Sequence, residues 1–305
     1  IFGCSRPPGR AAARLPHEPG VYRFRDRRGR TLYVGRATDL RSRVQSYWGD
    51  LRDRRHLTEM VARVARVEAV ACDSVHEAAW LERNLLEAGM PPWNRTPGGA
   101  ETSIYIVIDT RPHTAGTRTS HVAQFDGVVG FGPYLGGARA RQAVSGLHRA
   151  FPLSYTRDRL TAAERDIATR LGVGPQSRKR LAAAVISALD GTNTGAARDV
   201  LTAARDRAAA ALTFELAARI HAELAALEWV TSVQRVTVEG GGDHDICGWA
   251  EGLAVTFAIR GGRLNGWEQR ACSRSAVARA CAVTPPEWAA FAQLNAELAA
   301  ALLRS

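Results

Sequence analysis

No apolar run in the 305 residues reaches the ~18 that a membrane-spanning helix needs, because even the alanine-rich stretches are broken by Arg, Asp or Glu, so a helical membrane protein is excluded. Cysteine is scarce. Cys4, Cys72, Cys247, Cys272 and Cys281 are scattered and odd in number, with no C-x-x-C, so neither a disulfide framework nor a zinc knuckle is encoded, and the cytosol is the expected compartment. The chain opens on Ile1 and no charged-then-apolar leader follows, which leaves room for a segment upstream. Lysine is nearly missing: Lys179 stands alone among 41 basic residues, so the positive charge is carried by guanidinium groups. What is present suffices for a packed core. The chain is 46% hydrophobic and 23% charged, and its length corresponds to about two domains.

The charge is unevenly placed. Residues 1–66 hold 16 Arg against six acids, a balance of +10, whereas residues 67–305 hold 25 basic and 24 acidic residues, a balance of +1. A one-sign field of this kind attracts a polyanion through phosphate neutralisation and counterion release; a solvated arginine-rich surface is the plainer alternative.

Residues 1–14 show no apolar period and read as a tail or linker. Two β-prone runs, Val21 to Phe24 and Thr31 to Val34, flank a charged turn ending in Gly29 and predict a hairpin. Leu40, Arg43, Val44 and Tyr47 then fall at i, i+3, i+4 and i+7, which sets an arginine on the apolar face of a helix. Leu57, Met60, Val61 and Val64 predict a second helix, and Val67 to Cys72 a third strand. Ser74 and Glu77 form a capping box, and Gly89 with Pro91-Pro92 stops the helix that follows. Its inward stripe runs Val75, Ala78, Ala79, Glu82, Leu85 and Leu86. Glu82 therefore points the way the core points, and an unpaired carboxylate there would cost several kcal/mol. Arg43 poses the same problem with opposite sign. A structural salt bridge answers both; so does a cleft holding Arg43, Glu82 and a metal ion around a phosphate.

Further on, SIYIVIDT and GVVGFGPYLGG read as strands, with helix resuming at Ala138 to Ala150. Residues 176–232 are helical, broken at Asp190-Gly191, and the stripes Val200, Leu201, Ala204, Ala208 and Leu216, Ile220, Leu224, Leu227 predict an αα-hairpin turning near Leu212-Thr213. Gly240 to Gly242 mark a linker; two short strands, a Gly261-Gly262 turn and a helix from about Pro286 to Leu303 close the chain.

The pieces PGVYRF, LYVGRATDLRSRVQSYW and LERNLLEAGMPPWN, in that order, resemble the GIY-YIG nuclease family, in the version at the N-terminus of the UvrC excinucleases and their shorter relative Cho. Gly20-Val21-Tyr22 and Tyr33-Val34-Gly35 stand for the two triplets, FGPY and AFPL continue the match, and LTFELAARIHAELAAL resembles the UVR hairpin that contacts UvrB. The resemblance implies an α+β fold, a small domain with a three-stranded antiparallel sheet and flanking helices. It implies Glu82 as ligand of one Mg²⁺ or Mn²⁺ ion, Tyr22 and Tyr33 around the attacking water with one of them the general base, and Arg43 on the scissile phosphate. Tyr47 takes a phosphate-contact position, and Asn94 a supporting one near Glu82. Arg36 stands where the family has lysine; a guanidinium tunes charge but shuttles no proton. The basic hairpin and first helix supply Arg23, Arg25, Arg27, Arg28 and Arg41 as DNA-contacting candidates, and Phe214, Glu215, Ala217, Ala218 and Leu224 are the partner-contacting ones.

Departures matter too. AFPLSYTRDRLTAAERD carries no cysteine where the family has a cluster, so no iron-sulfur centre is expected, and His221-Ala222 replaces the Arg-Asp usual in the UVR hairpin. Asp243, His244 and Asp245 suggest a turn before a strand more than a metal site. The division expected is 1–14 tail, 15–97 GIY-YIG domain, 98–175 middle region, 176–232 helical region with the hairpin, and 233–305 a C-terminal α/β segment without the RNase H-like nuclease half. The function implied is 3′-side incision of damaged double-stranded DNA in nucleotide excision repair. A non-cleaving DNA- or UvrB-binding adaptor, and the nuclease portion of a longer exonuclease fusion, are the alternatives.

Overall fold

The computed structural model describes residues 8–49, 55–95, 102–123 and 127–304. Two compact units emerge: residues 1–100 with 233–305, and residues 101–232. Cys4 and the first half of the expected tail lie outside the described residues.

The first unit begins with a short helix, α1 (Pro8–Ala12), then β1 (Gly20–Arg25), β2 (Thr31–Ala37), α2 (Leu40–Gln45), α3 (Arg55–Arg63), β3 (Arg66–Ala71) and α4 (Val75–Ala88). The strands form one antiparallel sheet in the order β2-β1-β3, with Tyr22 opposite both Gly35 and Ala69 and Phe24 opposite Tyr33 and Val67. That alternation sends Tyr22, Phe24 and Tyr33 to the face covered by Leu40, Val44, Tyr47, Leu57 and Met60, the core of this part of the chain. The predicted tail differs here: residues 8–12 are helical and Ala12 is fully buried in that core, next to Leu15 of the expected domain. α4 ends at Gly89 as predicted. The capping differs by one residue, since Ser74 accepts the Glu77 N–H while the Glu77 carboxylate accepts from Asp73 N–H.

The second unit holds the sheet β5-β4-β6, from β4 (Ile104–Asp109), β5 (Gly116–Ser120) and β6 (Val128–Tyr134). Five helices follow: α5 (Gly137–Ala150), α6 (Ala162–Leu171), α7 (Arg178–Leu189), α8 (Thr194–Ala210) and α9 (Phe214–Val230). α8 and α9 pack as the predicted hairpin, turning at Leu212, whose φ of 56° is left-handed. Buried Glu223 on α9 is held by Arg149 (2.8 Å) and Ser145 (2.7 Å) of α5.

The C-terminal segment returns to the first unit with β7 (His244–Ala250), β8 (Leu253–Arg260), β9 (Arg263–Ala271), α10 (Arg274–Ala282) and α11 (Pro286–Leu303). Its sheet is an antiparallel meander of three strands, one more than expected. α11 packs on β3, β7 and β8, and α4 packs on both β2 and β9, which is why α4 is buried on more faces than its single stripe predicted. Asn295 of α11, itself buried, accepts the Ala71 N–H (2.8 Å) and donates to the Ala71 carbonyl (3.2 Å), so its amide satisfies part of the free edge of β3.

Buried Glu77 also accepts the Arg235 N–H (3.0 Å), a second tie to this segment. Burial, partly offset by that N–H, pushes the Glu77 carboxyl up to about 7. The folded state then holds a proton that the unfolded chain releases at its ordinary value of 4.5. Its stabilisation is complete below that value and is lost as pH rises through about 7, a loss of about 3 kcal/mol at most. Urea unfolding of wild type and Glu77→Gln at pH 5 and pH 8 should show the extra alkaline loss in wild type only; equal pH dependence would contradict it.

Candidate active site

The two motif glycines are required by close approach. A Cβ on Gly35 would stand 2.6 Å from the Tyr22 hydroxyl and 2.7 Å from Tyr33 Cε1, and one on Gly20 would stand 2.3 Å from the Val70 carbonyl oxygen. Only glycine lets the Tyr22 ring lie flat across β2. The Tyr22 and Tyr47 hydroxyls then share a hydrogen bond of 2.7 Å, and the Tyr22, Tyr33 and Tyr47 rings lie with centroids 5.8 to 6.2 Å apart.

α2 brings the guanidinium. Asp39 caps it by accepting the Ser42 N–H (2.8 Å), and His17 Nδ1 stands 2.7 Å from the other Asp39 oxygen. The Arg43 guanidinium carbon lies 5.4 Å from the Tyr47 ring centroid and its charge reaches both Tyr22 and Tyr33. From the opposite face of the sheet α4 supplies Glu82. Its Oε1 accepts the Arg36 N–H (3.1 Å) and its Oε2 stands 3.4 Å from Arg36 Nε, while Arg43 also acts on its charge. Glu82 is thus held at Arg36 near the end of β2, within electrostatic reach of Arg43, and its side chain keeps 22% exposure.

Exposure divides the tyrosines. Tyr22 and Tyr47 are fully buried, whereas Tyr33 is half-buried. Tyr33 can meet a water, whereas Tyr22 is turned to Arg43 and Tyr47. The Tyr47 hydroxyl, expected at a phosphate, is buried and shares its hydrogen bond with Tyr22. Burial, then the neighbouring hydroxyls, push Tyr22 well above the ordinary phenol value; burial, Tyr47 and Glu82 push Tyr33 up. Both are protonated hydrogen-bonding groups at neutral pH. Burial raises Glu82 as well, and Arg36 and Arg43 offset only part of it. For Arg43, burial is outweighed by the three tyrosines, which raise it.

Asn94 supports the site through β2. Its Oδ1 accepts the Val34 N–H (3.0 Å) and its Nδ2 donates to the Val34 carbonyl (2.7 Å), two residues before Arg36. Its partner is the strand and not Glu82.

Of the DNA-contacting candidates, Arg27 and Arg28 are exposed at the hairpin tip. Arg41 is half-buried and donates to the Leu15 carbonyl (2.5 Å). Arg23 is corrected: it is buried, bonds Glu68, donates to the Trp267 carbonyl (2.8 Å) and stacks 3.7 Å from the Trp267 ring centroid. Arg25 is largely committed as well, to Glu68 (2.9 Å) and the Gly29 carbonyl (2.6 Å). Burial alone would raise Glu68, but Arg23, Arg25 and Arg66 outweigh it and hold the carboxyl low. These arginines answer a buried carboxylate. Sequence inspection missed Glu68 and Trp267, which meet Arg23 across 45 and 244 residues and so leave no local pattern. On α9, Phe214 is 65% exposed and Glu215 and Ala218 are exposed, with Ala217 half-buried. Leu224 is corrected: it is buried in the core of its unit.

No cluster of three or more His, Cys, Asp or Glu suited to a metal occurs among the described residues. Asp243 accepts the Gly261 N–H (2.7 Å) and Asp245 pairs with Arg260 (2.8 Å), the turn and strand roles expected. Glu82 by itself fits a hard divalent cation that keeps most of its waters, because its carboxylate is partly exposed and stands beside the half-open Arg36 guanidinium. No helix of the described residues is long and apolar enough to cross a membrane.

The UvrC-like GIY-YIG domain family matches residues 18–95. UvrABC system protein C of Geobacter metallireducens is 34% identical over 83% of this chain and 43% of its own length, and that of Moorella thermoacetica is 32% identical over 83% and 44%. The chain therefore spans under half the length of these relatives. The GIY-YIG N-terminal endonuclease domain of UvrC from Thermotoga maritima, bound to magnesium as its catalytic divalent cation, is 29% identical over 28% of this chain and 92% of that one, with a TM-score of 0.25. Residues 18–95 thus match the UvrC-like GIY-YIG domain family, within a chain similar along most of its length to UvrABC system protein C.

Proposed function

We propose that the chain is a divalent-cation-dependent DNA endonuclease that hydrolyses a phosphodiester on the 3′ side of a lesion in nucleotide excision repair. The observation that supports this is the partly exposed Glu82 carboxylate, held by Arg36 at the end of β2 within electrostatic reach of Arg43 and Tyr33. Glu82 would hold one Mg²⁺ or Mn²⁺ ion, which when bound supplies Lewis-acid stabilisation of charge on the phosphate oxygens. Tyr33 orients the water for in-line attack on phosphorus. Arg43 presents its donors to the phosphate and offsets the negative charge that develops there. Arg36 holds Glu82 in place through its backbone N–H, and its half-open guanidinium faces the same charge. Tyr22 and Tyr47 fix Arg43, and Asn94 fixes the strand that carries Arg36.

Arg27 and Arg28, exposed in the turn after β1, would grip duplex phosphates beyond the cut. The α8–α9 hairpin would dock UvrB through Phe214, Glu215, Ala217 and Ala218; the exposure of Phe214 supports this, and an exposed aromatic is a usual anchor.

The test is incision of a duplex carrying one bulky lesion, with cut sites mapped, in the presence and absence of UvrB. A single nick 3′ to the lesion, lost on chelation, is expected. Lesion-specific binding without any nick would favour an adaptor, and equal nicking of undamaged duplex would place the nuclease outside excision repair.

A further inference from the structure

Three cysteines far apart in sequence gather beside the C-terminal sheet. Cys247 lies in β7, Cys272 follows β9, and Cys281 lies near the end of α10; with Ala254, Val277 and Trp249 they form one small cluster. The Sγ atoms of Cys247 and Cys281 stand 3.0 Å apart, within about one ångström of bonding distance. The backbone around them is already tied. The Thr284 hydroxyl accepts the Cys247 N–H (2.9 Å) and donates to the Cys247 carbonyl (3.3 Å), fastening the end of α10 to β7. Closing the last gap takes a side-chain adjustment. Access is unequal: Cys247 is buried, while Cys272 and Cys281 are half-exposed.

We propose that Cys247 and Cys281 are a reversible oxidation site, converted to an intrachain disulfide by hydroperoxides. The Cys281 sulfur attacks the peroxide O–O bond and becomes a sulfenic acid, and the displaced oxygen leaves as water with the thiol proton. The Cys247 sulfur then attacks the sulfenic sulfur, its proton joins the departing hydroxyl as a second water, and the S–S bond forms. Two thiols and one hydrogen peroxide thus give one disulfide and two waters, and a small-molecule dithiol reverses it. Burial, then the Cys281 thiol, push Cys247 up to about 12, so Cys281 meets the oxidant first. The link closes a loop spanning 34 residues, over β8, β9 and α10, which restricts the unfolded chain.

The full chain treated with submillimolar hydrogen peroxide, alkylated and digested without reductant, should yield a linked Cys247–Cys281 peptide that dithiothreitol separates. Its thermal midpoint should rise by several degrees over the reduced form. Cys281→Ser should lose both effects and Cys272→Ser should keep both, with circular dichroism confirming that each variant is folded. Sulfinic acid at Cys281 without a linked peptide, or a link through Cys272 in its place, would overturn the proposal.

Discussion

Replacing Glu82 by alanine is expected to lower single-turnover nicking at least about 10³-fold while leaving duplex affinity within about twofold. A cation on that carboxylate supplies several kcal/mol of charge stabilisation in the transition state, and each ~1.4 kcal/mol is a factor of ten. On the proposed function, DNA affinity would rest chiefly on exposed arginines such as Arg27 and Arg28, which the change does not touch. The fold should tolerate it. Glu82 is 22% exposed and its ionic partner Arg36 is 44% exposed, so removing the pair's acidic member leaves a guanidinium that water can solvate, at a stability change within about 1 kcal/mol. Equal loss of binding and nicking would instead mark Glu82 as a structural group.

The second large effect is at Arg43. Alanine there should reduce the rate by about 10²–10³, the loss typical when one preorganised donor to a developing oxyanion is removed. Substrate KM should move much less than kcat, because the interaction strengthens as the reaction proceeds. Tyr22 and Tyr47 keep their mutual hydrogen bond without Arg43, so the buried hydroxyls remain satisfied and the variant should fold. Arg43→Lys should recover part of the rate, since it restores charge without the planar fork. A loss confined to binding would reassign Arg43 to the duplex-gripping set.

Much of the site is legible in the sequence because it is local. Glu82 and Arg43 stand out as charges on apolar stripes, and α4 keeps its predicted bounds because Ser74 and Gly89 are true caps. The glycine positions in both triplets have a geometric cause in the Tyr22 ring and the Val70 carbonyl. What fails is long-range. Arg23 counts as surface charge in the sequence, yet β1–β3 register sets it opposite Glu68 and the C-terminal sheet brings Trp267 over it. Leu224 is a different case: its place on the stripe with Ile220 and Leu227 already marks it as core, and only the partner-contact role implied by the resemblance conflicts with its burial. β5, with sequence GTRTS, and β9, with RLNGWEQRA, lack a clean apolar alternation because pairing with β4 and β8 holds them. α6 carries a Thr161–Glu164 capping box without a strong apolar face, and only Ala168 of it is buried.

The central claim is that one carboxylate and one guanidinium serve a single phosphate with the help of a divalent ion. Its most direct measurement is single-turnover strand nicking by the full chain across a Mg²⁺ titration, run beside Glu82→Ala and Arg43→Ala. Saturable nicking by wild type, a reduced plateau for Arg43→Ala and no nicking by Glu82→Ala at any Mg²⁺ concentration are expected. Nicking that persists in excess chelator, or a Glu82→Ala plateau equal to wild type, would contradict the account.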